Sequence, residues 1–168
     1  VSVGEADYTK AMMRKLAGAS GGVAFWRIAM RPGRPMAVGR INGAADGAGG
    51  RSAVLFGLPG NPVAVMVTFL AFVRPALLRM MGCKAAPAPL LRAHSLEPIR
   101  KKAGRTEYQR GIVSSAPDGS LRVCTTGNQG SGVLRSMVQA NGLIVLGHDQ
   151  GNVATGDEVD VMMFDGAL

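Results

Sequence analysis

Cysteine and histidine are scarce in this chain of 168 residues, which contains two of each. Cys83 and Cys124 lie far apart and form no CxxC pair, and together with His94 and His148 they give no metal-ligand spacing. This argues against a disulfide scaffold and suggests structural cysteines in a reducing compartment. The sequence also shows no Ser/His/Asp or Cys/His arrangement, so nucleophilic hydrolysis is not expected.

Acidic residues are few as well, since 11 Asp and Glu face 19 Lys and Arg. The excess lies in residues 1–82, which carry ten basic and three acidic residues, whereas residues 83–168 carry nine and eight. The first half is therefore expected to meet an anionic partner. Single arginines among apolar residues suit a phosphorylated or oxyanion small molecule better than nucleic acid. In the second half only Tyr108 and Phe164 are aromatic, which argues against binding of single-stranded nucleic acid there.

The sequence has no apolar run that predicts a membrane span. The run at 62–73 is too short, and Arg74, Pro75 and Arg79 interrupt its continuation. No signal peptide is visible. We therefore expect a buried helix in a cytoplasmic protein that has no membrane partner. Because the chain begins at Val1 and its first residues resemble the inside of a βα unit, we also expect a fragment of a longer protein.

Glycine, in contrast, is abundant, and its 24 residues predict many turns and hence strands. In chain order the pattern predicts a helix at 7–17, strands at 23–31, 36–41 and 53–58 (the last one buried), and a long helix from residue 62. Asp7 and Asn61 are candidate N-caps, Gly18 is a stop signal, and Pro62 suits the first helical position. Pro75 should kink the long helix or start a second one.

Beyond residues 82–89 the sequence changes to short strand-like runs between glycine and aspartate turns. The runs are "EYQRGIVS", "LRVCTT", "GLIVLG" and "DEVDVMMF". They predict a small sheet or partly closed β-barrel. The predicted fold class is thus α/β over residues 1–82, followed by an all-β domain over residues 83–168.

The turn "GLPGNP" at 57–62 is the first candidate site. A strand, a glycine turn and a capped helix can present N–H groups and a positive dipole end to an anion. The alternative is a capped loop in a buried βα unit. The turn contains no Walker sequence and no GxGxxG.

Three arginines precede this turn. In one continuous strand Arg27 and Arg31 would share a face, roughly 13 Å apart at about 3.3 Å per residue. Arg34 follows in the turn "RPGRP". Rigidly held guanidinium groups suit phosphate or oxyanion recognition. A solvated basic face remains the alternative.

Glu5 and Asp7 stand before the first helix. Asp7 is either a plain N-cap or a ligand of a divalent cation that bridges a phosphorylated molecule. In the second half Arg105, Arg110, Gln129 and Ser131 lie among turns and indicate little by themselves.

Several motifs in order resemble one family, the molybdopterin molybdenumtransferases of the MoeA type and the related E domain of gephyrin. They are "VSVGEADYTK", "FWRIAMRPGRPMAVGR", "GLPGNPVAVMVTFLAFVRPAL", "GRTEYQRG", "GNQGSG" and "ANGLIVL". The resemblance implies the C-terminal part of a three-layer α/β/α molybdopterin-binding domain plus a small β-barrel. It also implies insertion of molybdenum from molybdate into adenylylated molybdopterin with release of AMP, a requirement for Mg²⁺, and a homodimer in the full-length protein. Other proteins of molybdenum cofactor biosynthesis are possible partners.

The resemblance also assigns residues to the cleft. Asp7 matches the family's acidic residue and would be catalytic and metal-binding, and Arg27 and Arg31 stand where relatives often have lysine. The residues expected to contact molybdate or the pterin are Arg34, Pro59, Gly60, Asn61, Pro62, Arg110 and Ser131. Because the family's α/β domain begins well before Val1, we expect the fragment alone to be inactive. A non-catalytic scaffold of the gephyrin type is the competing interpretation.

Overall fold

A computed structural model describes residues 8–18, 22–42, 52–84, 88–130 and 132–164. Its first sheet has three antiparallel strands, β1 (Val23–Arg27), β3 (Pro35–Asn42) and β4 (Ser52–Gly57), with β3 in the middle. Helix α1 (Thr9–Ala17) packs against β3. It ends at Gly18 with φ of 62°, as predicted. Its N-cap position is Tyr8 rather than Asp7, which lies outside the described residues.

The predicted single strand at 23–31 is wrong, because the chain changes sheets within it. β1 ends at Arg27, and β2 (Met30–Arg31) pairs in parallel with a strand of the second sheet. Between them the N–H of Ile28 donates to the carbonyl of Arg34 at 2.8 Å, and the N–H of Met30 donates to the carbonyl of Ile28 at 2.8 Å. These bonds turn the chain, so Arg27 and Arg31 do not share a strand face.

The turn predicted at residues 31–35 is confirmed. The Arg31–Pro32 peptide bond is cis, and Gly33 has φ of 100°, which L side chains rarely adopt. β3 starts at Pro35. The strand predicted at 53–58 is present as β4, but its first three residues are exposed rather than buried. Within the described chain β4 lies at the edge of its sheet, with β3 as its neighbour.

The long helix begins as predicted and changes its winding before Pro75. Asn61 is the N-cap and Pro62 the first residue of α2 (Pro62–Thr68). A π-helical turn, Phe69–Val73, leads into α3 (Arg74–Met80). Pro75 has no N–H to donate and its ring crowds the preceding turn, and a wider π turn accommodates both effects.

This helix is less buried than the sequence suggested. Only 28% of the apolar 18-residue stretch within the helix Pro62–Met80 is buried, although α2 itself buries Val63, Ala64, Val67 and Thr68. Within α3 no residue is buried. By length and composition the helix Pro62–Met80, with mean hydropathy 1.8, meets the criterion for a membrane span, a criterion that core helices of soluble proteins also meet.

The second sheet closes into the predicted barrel. Its strands are β5 (Leu91–Ser95), β6 (Thr106–Ser115), β7 (Leu121–Thr125), β8 (Gly142–Leu146) and β9 (Glu158–Met163). They follow the order β6-β7-β5-β9-β8, and β8 pairs back onto β6. Strand β5 and the short helix α4 (Arg135–Gln139) had not been predicted. β2 lies beside β6, which brings Arg31 level with Glu107.

Two apolar clusters hold these elements together. The barrel interior contains nine buried side chains, Ala93, Ile99, Val113, Val123, Ile144, Leu146, Val153, Val159 and Val161. A second cluster of Met30, Val67 and Leu143 joins β2 and α2 to the outside of the barrel. Burying a side chain of this size stabilises the fold by roughly 1.5–3 kcal/mol. The second cluster therefore fixes the turn 31–35 against the barrel. The domain boundary at 82–89 stays a prediction.

Candidate functional site

Three adjoining cavities lie where the turn 31–35 meets the barrel, and Arg31 lines all of them. The turn cavity, of about 800 Å³, lies between residues 28–35, residues 59–61 and the segment 102–105. The barrel cavity, of about 260 Å³, lies over β6 and includes Arg110. The basic cavity, of about 440 Å³, is lined by the segment 100–102, Arg105, Glu107 and Asn152 as well as Arg31. Together these three cavities form the cleft.

Arg110 is the most deeply buried charge of the cleft, with 1% of its surface exposed. Its Nε donates to Ser136 Oγ at 2.9 Å, and Nη2 donates to the carbonyls of Gly130 at 3.0 Å and Asn128 at 3.4 Å. These acceptors are all neutral, and no described carboxylate forms an ion pair with Arg110. Burial, and then the charge of Arg31, lower the pKa of Arg110, although an arginine remains protonated.

Gln129 holds the backbone of Arg110 from the other side. The N–H of Arg110 donates to Gln129 Oε1 at 2.8 Å, and Gln129 Nε2 donates to the carbonyl of Arg110 at 3.1 Å and to Thr126 Oγ1 at 3.2 Å. The loop 127–130 is thereby fixed over β6. A buried cation held only by neutral groups attracts an anion, because its charge is not compensated locally.

The turn "GLPGNP" offers the cleft other hydrogen-bond donors than the sequence predicted. Asn61 Oδ1 accepts the N–H groups of Val63 at 3.1 Å and Ala64 at 3.4 Å, and the N–H of Val65 donates to the carbonyl of Asn61 at 2.9 Å. Pro62 has no N–H. The first turn of α2 therefore has no N–H left for an anion, and the expectation of free helical donors is wrong. The donors that remain in the described part of this turn are Asn61 Nδ2 and the backbone N–H groups of Gly60 and Asn61.

The structure brings together some of the predicted site residues and separates others. Those that line the turn cavity are Arg31, Arg34, Pro59, Gly60 and Asn61. Pro62 begins α2 and lines none of the three cavities. Arg27 is exposed in β1, opposite Pro35, and also lies outside them. Asp7 and Ser131 are not among the described residues.

Sequence reasoning missed the basic segment 100–105. Lys102 and Arg105 line the turn cavity, and Arg100, Lys101, Lys102 and Arg105 line the basic cavity. Arg105 had been judged uninformative, yet it pairs with Glu107, whose side chain is only 4% exposed, at 2.7 Å. The signal that could have found the segment is its composition, with four cations in "RKKAGR" in a half of the chain that carries nine basic and eight acidic residues in total.

The described part of the cleft does not provide a Mg²⁺ site. No group of three Asp, Glu, His or Cys residues is close enough to hold a metal within the described ranges. The two carboxylates of the cleft already have partners. Glu107 binds Arg105 and Gln109, and Glu97 accepts the N–H and hydroxyl of Thr125 at 2.7 and 2.6 Å.

Comparison with known proteins assigns both halves of the chain. Residues 1–79 match the family model "Probable molybdopterin binding domain", and residues 92–164 match "MoeA C-terminal region (domain IV)". A molybdopterin molybdenumtransferase of Haemophilus influenzae is 37% identical over 100% of this chain and 39% of its own length. A gephyrin of Dictyostelium discoideum is 30% identical over 97% of this chain and 24% of its own.

The fold agrees with this assignment. The crystal structure of a molybdopterin biosynthesis MoeA protein of Pyrococcus horikoshii OT3 superposes with a TM-score of 0.64 at 25% identity. The superposition covers 84% of this chain and 32% of the Pyrococcus chain. The chain thus spans about two fifths or less of the length of these three relatives. Since its two halves match consecutive domains of one kind of protein, the chain belongs to the MoeA family and contains its C-terminal region.

Proposed function

We propose that this chain is part of a molybdopterin molybdenumtransferase, an enzyme of molybdenum cofactor biosynthesis. The full-length protein would insert molybdenum from molybdate into adenylylated molybdopterin and release AMP. Support comes from the names of the relatives and from a cleft that suits an anionic ligand. The substrate, the adenylyl group and the release of AMP rest on the resemblance to the family.

The observation that carries the proposal is the buried guanidinium of Arg110 beside Arg31. Both line the barrel cavity, and in the described chain neither forms an ion pair with a carboxylate. Molybdate is a tetrahedral dianion. Among the described residues, the two N–H bonds of Arg110 Nη1 are left for it, because Nε and Nη2 bond Ser136, Asn128 and Gly130, and the guanidinium group of Arg31 adds further donors. Arg110 is 1% exposed, and burial strengthens this attraction because charges interact more strongly at low dielectric.

The remaining residues would orient the ligand. Arg34 lies in the same stiff turn as Arg31, and Gly60 and Asn61 line the turn cavity from the other side, where they would donate through N–H groups. Pro59 restricts the conformation of that second turn. Burial raises the pKa of the Tyr108 hydroxyl above its ordinary value, and Tyr108 is among the residues that line the barrel cavity. Asp7 and Ser131 are proposed cleft residues by resemblance.

A requirement for Mg²⁺ is also proposed from the resemblance. Since the described carboxylates do not fit such a site, an ion would need ligands such as Asp7 from outside the described ranges. A cytoplasmic location, a homodimer, and contact with other proteins of cofactor biosynthesis are proposals of the same kind.

The proposal is tested with the full-length protein by measuring AMP released from adenylylated molybdopterin when molybdate is added. Arg110→Gln should lower kcat/KM for molybdate about tenfold or more, because a hydrogen bond to a charged group contributes roughly 1.5–3 kcal/mol. Arg92→Gln is the matched control, since Arg92 pairs with Glu158 and Asp160 on the exposed outside of the barrel.

Two outcomes would contradict the proposal. Either the wild-type protein releases no AMP in response to molybdate, or Arg110→Gln behaves like Arg92→Gln. The first outcome, combined with tight binding of a protein partner, would favour the scaffold interpretation instead.

A further inference from the structure

Hydrogen bonds hold the segment 100–105 in place along one side of the cleft. Lys101 is 6% exposed, and its Nζ donates to the carbonyls of Gln150 at 2.6 Å, His148 at 3.1 Å and Lys102 at 3.4 Å. These three acceptors use all three N–H bonds of the ammonium group. The backbone N–H of Lys101 also donates to Asn152 Oδ1 at 2.9 Å.

The far end of the segment is fixed as well. The N–H of Gly104 donates to the carbonyl of His148 at 2.9 Å, and the N–H of Thr106 donates to the carbonyl of Ala29 at 2.9 Å. Gly104 has φ of 92°, which turns the chain so that Arg105 lies over the cleft. The segment is therefore tied both to the barrel and to the residues just before β2.

Arg105 is oriented by a buried carboxylate. Its Nε donates to Glu107 Oε1 at 2.8 Å, and Nη2 lies 2.7 Å from the same oxygen. Glu107 Oε2 in turn accepts Gln109 Nε2 at 3.2 Å. The side chain of Arg105 keeps 36% of its surface exposed and lines both the turn cavity and the basic cavity. Glu107 thus positions a guanidinium whose remaining donors face open space.

The positive charge around the basic cavity exceeds what the carboxylate of Glu107 can neutralise. The cationic residues that line the basic cavity are Arg31, Arg100, Lys101, Lys102 and Arg105, and Glu107 is its one carboxylate. The basic cavity and the barrel cavity adjoin each other and share Arg31, Arg100 and Glu107. They differ in the two arginines at issue, because Arg110 lines the barrel cavity alone, whereas Arg105 lines the other two cavities and not the barrel cavity. The turn cavity beside them, about 800 Å³, has the size of an organic ligand rather than of one oxyanion.

We propose that Arg105, positioned by Glu107, is a binding residue for a phosphate group of the organic ligand, at a subsite separate from the oxyanion site at Arg110. The inference rests on the proposed function, because it concerns the same cleft. Phosphate would bind at the segment 100–105 and molybdate at Arg110. These two anions have similar chemistry, so an experiment must distinguish them.

The test uses the full-length protein, with inorganic pyrophosphate and molybdate as separate probes in calorimetric titrations. Arg105→Gln should weaken pyrophosphate binding about tenfold or more and change the Kd of molybdate less than twofold. Arg105→Lys keeps the charge but not the planar fork, so an intermediate loss is expected. Arg92→Gln is the control for removal of an ion-paired arginine and should change neither Kd.

Arg105→Gln leaves Glu107 buried without its ion pair, so this variant could unfold. The double variant Arg105→Gln/Glu107→Gln removes both charges together and keeps a hydrogen-bonding pair at the site. Glu107→Gln alone tests the positioning role, and it should weaken pyrophosphate binding less than Arg105→Gln does. Thermal unfolding of every variant identifies those that fold.

The inference is overturned if the wild-type protein does not bind pyrophosphate, if the folded Arg105 variants bind it like the wild type, or if molybdate binding falls equally. Failure of the proposed function gives a different result. In that case molybdate-dependent release of AMP is absent from the wild-type protein, while pyrophosphate binding is present and still depends on Arg105.

Discussion

Replacing Gly33 with alanine should destabilise the fold, because this turn residue is packed directly against α2. Gly33 has φ of 100°, where a side chain adds roughly 1–2 kcal/mol of strain. A Cβ there would lie well inside contact distance of Thr68 Oγ1, 3.3 Å from Met30 Cε and 3.5 Å from the carbonyl oxygen of Ala64. Thr68 is fully buried and β-branched, so its hydroxyl cannot move aside easily.

The expected loss follows from these terms. Overpacking of this kind costs about 1–3 kcal/mol. The lower entropy of the unfolded alanine chain returns roughly 0.4–1 kcal/mol. The free energy of unfolding of Gly33→Ala should therefore be lower by about 1–4.5 kcal/mol, a large part of the 5–15 kcal/mol typical of a domain. Urea unfolding of the full-length protein, followed by circular dichroism, measures this difference.

The variant Gly104→Ala distinguishes the cost of backbone strain from the cost of steric contact by the new Cβ. Gly104 has φ of 92°, but a Cβ there would meet no atom within 4 Å. That variant should lose only about 1 kcal/mol, from backbone strain. Adding Thr68→Ala to Gly33→Ala should recover about 1–3 kcal/mol relative to the sum of the single effects, since it removes the atom in the way. If the two effects simply add to within about 0.5 kcal/mol, the packing argument is wrong.

Three further perturbations test other parts of the structure. Asn61→Ala should lower the free energy of unfolding by about 0.5–2 kcal/mol through loss of the N-cap, with Asn61→Ser largely preserving it in the same urea titration. Gly111→Ala should lower it by about 1–3 kcal/mol, because the new Cβ would lie 2.9 Å from Ile144 Cγ1 inside the barrel, and an unchanged midpoint would contradict this. The hydroxyl and N–H of Ser120 lower the pKa of Asp118, so the stabilisation from this carboxylate is present above its unfolded pKa and is lost as pH falls through the folded value. Ser120→Ala should raise the pKa of Asp118 in an NMR titration, and no change would show that other groups hold it down.

Local chemistry made part of the fold predictable from the sequence. The Asn61–Pro62 helix start, the Gly18 stop and the turn at 31–35 depend on a few adjacent residues, and all three are confirmed. Four barrel strands were found because glycine turns separate them. Strand β5 was missed because its pairing with β9 places Arg92 and His94 on the solvent side, so its sequence does not look apolar. The break at Ile28 was missed because it depends on strands far along the chain.

The candidate site was predictable to a similar extent. Two short, stiff turns line one cavity, and this made part of the site predictable. One turn carries Arg31 and Arg34, and the other comprises residues 59–61. Arg27 was misplaced because the strand that carried it was assigned one sheet instead of two. Gln129 could not be recognised, since its partner Arg110 lies in β6, far along the chain. Arg105 bonds a near neighbour, Glu107, and the overlooked signal was the basic composition of the segment 100–105.

The packing of Gly33 on Thr68 has a consequence for the site as a whole. Asn61 caps α2 at its first residue, and Thr68 ends the same helix two turns later. The turn that carries Arg31 and Arg34 rests on the side of that helix, at Ala64 and Thr68. Both turns that line the turn cavity are thus positioned by one helix, which the cluster of Met30, Val67 and Leu143 attaches to the barrel. Loosening this helix should shift Arg31, and with it all three cavities of the cleft, without replacing any residue that lines them.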